Sequence, residues 1–346
     1  METLISSLTT QMVHAVTHAS DVAAVRRAGQ RLADELGFDE TRAGRLALII
    51  TEAATNILKH AGAGEMHIGP AQSAAGVGID VLAIDSGPGI ADVDASLVDG
   101  MSTAGTAGTG LGALRRLSDE FDVYTALGKG AVFFMRLWRS MPETVSPPGP
   151  CGVEVGALWM PMAGEEECGD GWAVRCDPRG ATLLAADGLG HGPEAARAAA
   201  AAVKALAERK APRAEELMQA AHEALRPTRG AALATARIEF DDDELRFAGI
   251  GNIAGCVIDD GRRALVSHNG IVGHNMRKVQ EFALPFGRGA LCIMHSDGIQ
   301  TQWDLNKYPG LTGRSAVLIA AVLMRDFIRR RDDAMVLVVR RLGGHA

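Results

Sequence analysis

Residues 140–150 read SMPETVSPPGP, with four prolines in eleven positions. No helix or central strand can run through such a stretch, because proline fixes φ and lacks an amide donor. It predicts an extended, semi-rigid linker over 139–150. The 346 residues then divide into a domain over 1–138 and another over 151–341, each long enough for its own core. Hydrophobic residues make up 47% and charged residues 22%, a balance that excludes disorder and collagen-like repeats. A net charge of −7 supplies no basic face for nucleic acid, and aromatics at 4% supply no base-stacking platform. No apolar run reaches the roughly 20 residues that cross a bilayer. The start, METLISSLTTQMVH, lacks the basic flank and apolar core of a signal peptide. A cytoplasmic chain without a membrane or nucleic-acid partner is expected. Cys151, Cys168, Cys176, Cys256 and Cys292 form no CxxC pair, so neither a zinc site nor a disulfide framework is indicated.

Periodicity sketches both halves. Val22, Val25, Leu32 and Leu36 stand at helical spacing before Gly37, and Asp39 caps a second helix to about His60. Strand-like runs follow at 76–84, 122–125 and 131–138, around glycines clustered from Gly100 to Gly112 and a helix over about 111–121. The second half alternates short strand-like runs with an alanine-rich helix over about 193–209, a second over 214–225 and a third over 314–330. The first half reads as an α/β layer with a glycine-rich loop over one face, and strands around a helix pair predict an α+β sandwich for the second, giving an α+β chain overall.

In the first half, Glu52 and Asn56 are four apart and share one face of the helix LALIITEAATNILKHA. A carboxylate there can serve as a base and a carboxamide oxygen can hold magnesium; a solvated polar face is the alternative. Asp85-Ser86-Gly87-Pro88-Gly89 follows a strand-like run, where a carboxylate can accept from an exocyclic amine and the glycines permit close backbone approach. Gly108-Thr109-Gly110-Leu111-Gly112 opens a helix and aims free N–H groups at anionic oxygens. Each motif alone is an ordinary turn, but the ordered triple is far less expected by chance. TEAATNILKHA, DSGPGI, DGMSTAGTAGTGLGALRRLSDEF and GKGAVFFMRLW resemble the GHKL-type ATPases, and more closely the RsbT-type serine kinases that phosphorylate STAS-domain proteins. The resemblance implies a Bergerat α/β sandwich that binds ATP and Mg²⁺. By it, Glu52 is the base toward a seryl hydroxyl, Asn56 coordinates magnesium, Asp85 selects adenine, Gly87 and Gly89 shape that pocket, and Gly108, Thr109, Gly110, Leu111 and Gly112 cradle the phosphates. Lys129 lies near the nucleotide or is solvated, and His60 is structural.

The second half carries acidic points at Asp170 in CGDGW, Asp187 in ADGLGHG, Asp297 in MHSDG, and Asp332 and Asp333 in RRDDAMVLVV. Most follow or open an apolar strand, and sheet ends bring such carboxylates together. Clustered carboxylates repel and so call for hard cations, two of which would activate water against a phosphoester; the alternative is that each aspartate merely caps a D-G turn. CGD, ADGLGHGPEA, FAGIGNIAG, NGIVGH, MHSDGI and RDDAMVLVV resemble the metal-dependent, type 2C-like phosphatases, in the branch of sporulation stage II protein E and RsbX. The resemblance implies an αββα sandwich with two Mn²⁺ or Mg²⁺ ions. By it, Asp187 bridges both ions, Gly188 adds its carbonyl, Asp297 and Asp332 complete the second site, and Asp170 lies outside the first sphere or on an accessory ion. Asp333 is a less certain ligand, His191 is a candidate proton donor, and Asn252 fixes a loop.

Together the resemblances imply one chain that phosphorylates and dephosphorylates serine or threonine of STAS-domain partners in a partner-switching pathway, upstream of a phosphatase, sigma factor or cyclase. The alternatives are a phosphatase with a non-catalytic ATP-binding docking module, and an anti-sigma factor that sequesters a sigma subunit.

Overall fold

The computed structural model describes residues 3–8, 11–73, 76–97, 110–140, 152–276 and 279–343. The proline-rich stretch 141–150 therefore lies outside the described residues. In chain order the elements are β1 (Thr3–Ser6), β2 (Met12–Val16), α1 (Ala19–Glu35), α2 (Glu40–His60), β3 (Gly64–Ser73), β4 (Gly76–Asp85), α3 (Val93–Ser96), α4 (Gly110–Leu117), β5 (Glu120–Ala126) and β6 (Gly130–Trp138). There follow β7 (Val153–Met160), β8 (Asp170–Asp177), β9 (Gly180–Gly188), α5 (Pro193–Ala207), α6 (Ala214–Leu225), β10 (Ala231–Glu239), β11 (Glu244–Ile250), β12 (Ala254–Ile258) and β13 (Arg262–Leu265). β14 (Phe282–Pro285), β15 (Leu291–His295), α7 (Ala316–Phe327) and β16 (Ala334–Arg341) complete the chain, with 3₁₀ turns at Leu305–Lys307 and Leu311–Gly313.

Two compact units interleave along the sequence instead of following one another. One comprises residues 9–146 and 305–325, the other residues 1–8, 147–304 and 326–346.

The first unit is one antiparallel sheet, β2-β3-β4-β6-β5, with helices on one face. Met66 and Ile68 on β3, Ile79, Val81 and Ala83 on β4, and Phe133, Met135 and Leu137 on β6 alternate toward that face. They pack against Leu46, Ile49, Ile50, Ala53 and Ile57 of α2, each larger side chain contributing about 1.5–3 kcal/mol by burial. α2 begins where the Asp39 carboxylate accepts from the Arg42 N–H, and Lys59 and His60 occupy its last turn, as suits the helix dipole. Residues 305–325 are anchored to this same unit. Asp122 on β5 accepts from the Ser315 N–H at 2.9 Å and pairs with Arg314 at 3.3 Å. The Arg325 guanidinium donates to the Asp85 carbonyl at 3.3 Å. Every residue of α7 from Ala316 to Met324 is buried, as its apolar run on all sides requires.

The second unit has a six-stranded sheet, β1-β8-β9-β10-β11-β14, and a five-stranded sheet, β13-β12-β15-β16-β7. Their inner faces share one core, including Trp172, Val174 and Leu183 from the first and Cys292, Met294, Leu337 and Val339 from the second. α5 and α6 cover the outer face of the larger sheet with Ala198, Ala202, Val203, Leu206, Leu217 and Leu225. The alanines of α5 let it approach the sheet so closely that a Cβ at Gly188 would overlap the Ala195 carbonyl. Cys176 on β8 is disulfide-bonded, which the spacing of the cysteines does not indicate, while Cys168, Cys256 and Cys292 are free. Among the described residues no helix is long and apolar enough to cross a membrane.

The edge of the larger sheet is closed by the start of the chain. β1 pairs with β8 from Thr3↔Cys176 to Ser6↔Ala173, and Trp172 and Ser7 exchange hydrogen bonds at 2.9 Å. Deleting residues 1–8 removes this strand, at a cost on the order of 2–4 kcal/mol from a handful of net hydrogen bonds. The melting temperature of the unit containing 152–304 is then expected to fall; an unchanged value would show that the strand contributes nothing there.

Candidate functional site

In the first unit, the motif residues gather at one end of the sheet. Glu52 and Asn56 lie on α2, both half-buried. Asn56 Nδ2 is buried without a hydrogen-bond partner, so the carboxamide has capacity that the fold leaves unused. No described residue pairs with the Glu52 carboxylate, which leaves it available as a base. Asp85 ends β4, and its Oδ1 accepts from the N–H groups of Gly87 at 2.8 Å and Ala131 at 3.3 Å. Gly89 has φ +76°, and a Cβ there would overlap the Ala126 carbonyl; a Cβ at Gly87 would press on Ala61. These glycines thus serve the packing of the loop against its own neighbours. Thr125, which sequence motifs do not single out, ties the loop down by accepting from the Ile90 N–H at 2.9 Å and donating to the Gly130 carbonyl at 3.0 Å. Gly110, Leu111 and Gly112 open α4, which packs on α2 through Leu114. Gly108 and Thr109 lie outside the described residues. Lys129 is exposed and stands 4.1 Å over the Tyr308 ring, and His60 is exposed.

In the second unit, strand pairing brings the acidic points together. Antiparallel β8 and β9 place Asp170 directly opposite Asp187, while β15 runs into Asp297 and β16 starts after Asp332 and Asp333. Asp170 is 4% exposed and Asp333 3%, and each keeps one buried carboxylate oxygen without a partner. Burial first, then the Asp187 charge, holds the Asp170 carboxyl well above the usual carboxylate range, against a hydrogen bond from Ser296. Burial first, then Asp297, Asp332 and Asp333, pushes Asp187 up to about 7, against a hydrogen bond from Asn252. Burial raises Asp333 too, opposed by the N–H groups of Met162 and Gly169. The Cys168 thiol beside them is pushed up by burial and by Asp170 and Asp333.

Asn252 does more than fix its loop. Its Nδ2 donates to Asp297 Oδ2 at 2.7 Å, and its proximity to Asp187 opposes the rise in that carboxyl's pKa. His191 follows on the loop after β9 and its Nδ1 lies 2.7 Å from Glu165 Oε1. No motif marks Glu165; only its place in the run GEEECGD before Asp170 hints at it. Among the described residues, no three His, Cys, Asp or Glu side chains already form a metal cage. Buried like charges with orphaned oxygens nonetheless suit hard divalent cations, which would remove that repulsion. Asp187, Asp297 and Asp332, the Gly188 carbonyl, and Asp170 and Asp333 behind them would supply the oxygen donors.

Comparison with known proteins follows the same division. The histidine kinase-like ATPase domain model matches residues 16–137, and the stage II sporulation protein E model matches residues 177–342. The chain is 38% identical over 110 residues to the serine/threonine-protein kinase RsbT of Bacillus subtilis, covering 32% of this chain and 83% of that protein. It is 24% identical over 173 residues to the phosphoserine phosphatase RsbX of the same organism, covering 49% and 85%. A solved protein of the bacterial stressosome, a modular system adapted to control secondary messenger signalling, is 30% identical with a TM-score of 0.52, covering 54% of this chain and 99% of its own. Both family resemblances of the sequence are thereby borne out.

The acidic cluster makes a pH-dependent prediction. A carboxyl raised from 3.8 to about 7 binds more protons folded than unfolded, so its stability cost is absent below about pH 4 and complete above about pH 7. A divalent cation has fewer protons to displace as the pH rises. The increase in melting temperature on adding Mn²⁺ or Mg²⁺ is expected to grow from pH 5 to pH 8. An increase independent of pH, or none at all, would contradict the assignment of these carboxylates as ligands.

Proposed function

The chain belongs to the family of the kinase RsbT through its histidine kinase-like ATPase domain and carries a stage II sporulation protein E domain behind it, and from that premise we propose a bifunctional protein serine/threonine kinase and phosphatase. Its substrates are STAS-domain proteins of a partner-switching pathway. The observation that carries this reading is the coexistence in one chain of Glu52, which no described residue pairs, beside Asn56, whose Nδ2 is buried without a partner, and a five-carboxylate cluster fed by four strands.

In the kinase direction, ATP is the substrate. Asp85 receives the adenine amine, Asn56 would hold Mg²⁺, and Gly110, Leu111 and Gly112 at the start of α4 present N–H groups to the phosphates. The seryl oxygen bonds to the γ-phosphorus as the bond to the β–γ bridging oxygen breaks; Glu52 takes the seryl proton and ADP leaves. In the phosphatase direction, Asp187, Gly188, Asp297 and Asp332, with Asp170 and Asp333, would hold two Mn²⁺ or Mg²⁺ ions that polarise the phosphoester and acidify water. Asn252 orients Asp297 among those carboxylates. Water oxygen bonds to phosphorus as the bond to the seryl oxygen breaks, and His191, held by Glu165, delivers a proton to that leaving oxygen.

The test uses a STAS-domain protein and the full chain. With ATP and Mg²⁺ the STAS protein is expected to gain one phosphate, and after ATP removal and addition of Mn²⁺ to lose it. Glu52→Gln should lower the gain at least about 100-fold and leave the loss intact; Asp187→Asn should do the reverse. Loss without any gain in the unsubstituted chain would make the first unit a docking module and overturn bifunctionality.

A further inference from the structure

An arginine stands beside the acidic cluster with no assigned work. Arg229 lies on the turn between α6 and β10, in the sequence RPTRGAA. β10 pairs with β9 so that Ala231 faces Gly188 and Ala232 faces Asp187, and the Leu189 N–H donates to the Gly230 carbonyl at 3.0 Å. The turn is therefore stitched to the loop that carries Asp187, Gly188 and His191. The side chain of Arg229 lies along that loop: its Nη1 is 3.1 Å from where a Cβ on Gly190 would sit. Gly190 itself has φ +88°, a backbone state that favours glycine, and its bare Cα leaves room for the guanidinium.

Two further features distinguish Arg229 from an ordinary surface arginine. First, although carboxylates crowd this end of the unit, no described residue bonds or ion-pairs with it. Glu165, on the loop between β7 and β8, is already committed to His191. Second, the turn that presents it is held from several sides. Thr228 Oγ1 donates to the Leu225 carbonyl at 2.7 Å and accepts from the Gly230 N–H at 3.0 Å. The His274 ring meets the Thr228 carbonyl at 3.0 Å, and Ala231 and Val272 exchange backbone bonds at 3.1 and 2.9 Å. The NGIVGH segment thus acts as a brace behind the turn, and Gly273 in it is fixed in turn by His222. A preorganised, exposed, unpaired guanidinium at the rim of an acidic centre suits a dianion arriving from solvent.

We propose that Arg229 is the phosphate-binding residue of the phosphatase site, gripping two non-bridging oxygens of a phosphoserine or phosphothreonine. This rests on the reading of the second unit as a phosphatase. The carboxylates alone repel a phosphomonoester dianion; Arg229 supplies the fork of N–H donors that orients it beside the Asp187 loop, while the peptide bearing it stays outside.

The test compares Arg229→Ala and Arg229→Lys with the unsubstituted full chain in Mn²⁺, using p-nitrophenyl phosphate and a phosphoserine peptide. Inorganic phosphate is the binding probe, by calorimetry and as a competitive inhibitor. For Arg229→Ala, KM and both phosphate constants are expected to rise about 10- to 100-fold, as for loss of a charged bidentate contact. kcat should stay within about threefold, and the Mn²⁺ concentration for half-maximal activity should not move. Arg229→Lys should recover part of the loss, since it keeps the charge and loses the fork. Unchanged KM and phosphate affinity would overturn the proposal; so would a fall in kcat with a shifted Mn²⁺ midpoint, which would make Arg229 a prop for the loop. Asp187→Asn, assayed alongside, separates the two readings: activity surviving that change would overturn the phosphatase assignment itself.

Discussion

Mutual repulsion among carboxylates governs the second unit. The antiparallel pairing of β8 with β9 sets Asp170 against Asp187, and the adjoining sheet delivers Asp297, Asp332 and Asp333 to the same end. Burial makes that proximity costly. The fold tolerates it by using neutral donors: the Asn252 carboxamide on Asp297 and the Met162 N–H on Asp333. Among the described residues no lysine or arginine ion-pairs with the cluster. A cation at its centre would have to come from solution, and the spare oxygens of Asp170 and Asp333 are what such an ion would find.

The first unit solves a different problem. Its candidate site residues sit on well-packed elements, with Glu52 and Asn56 on the helix whose other face is Leu46, Ile49, Ala53 and Ile57. The loop after β4 is rigid because Asp85, Thr125 and two close-packed glycines fix it from within. Residues 305–325 add a second layer of constraint: Arg325 holds the carbonyl of Asp85 itself, and Tyr308 lies under Lys129 and beside Tyr124. Asp85 and the late GKG turn are therefore both buttressed by chain from beyond residue 300.

Much of this was legible in local pattern. The spacing over Asp39–His60 places α2 and its cap within a residue, and apolar runs ending in aspartate identify β9 and β15. What sequence alone misses is non-local. β1 and β2 lack a clear alternation, and β1 finds its partner some 170 residues away. β3 contains Pro70, which argues against a strand between two neighbours. β2, however, spans only Gly64 to Ile68 of β3, so at Pro70 that side needs no N–H donor. β14 is four residues with alternating exposure. The expected helix over 111–121 stops at Leu117 because β5 begins at Glu120 to pair with β6. Asn252 reads as a turn residue until the fold brings Asp297, 45 positions later, within hydrogen-bond reach. Glu165 and Arg229 carry no motif; only three-dimensional proximity to the Asp187 loop gives them meaning.

If both units turn over on one partner, the chain must consume ATP in a cycle that passes through that partner. The most direct measurement is steady-state release of phosphate from ATP by the full chain with Mg²⁺ and Mn²⁺, with and without a STAS-domain protein. Continuous release that requires the STAS protein is the predicted result, halting in Glu52→Gln and also in Asp187→Asn, where at most one equivalent of phosphate stays on the partner and none is released. Release at the same rate without the partner, or none with it, would contradict a kinase and phosphatase joined in one chain.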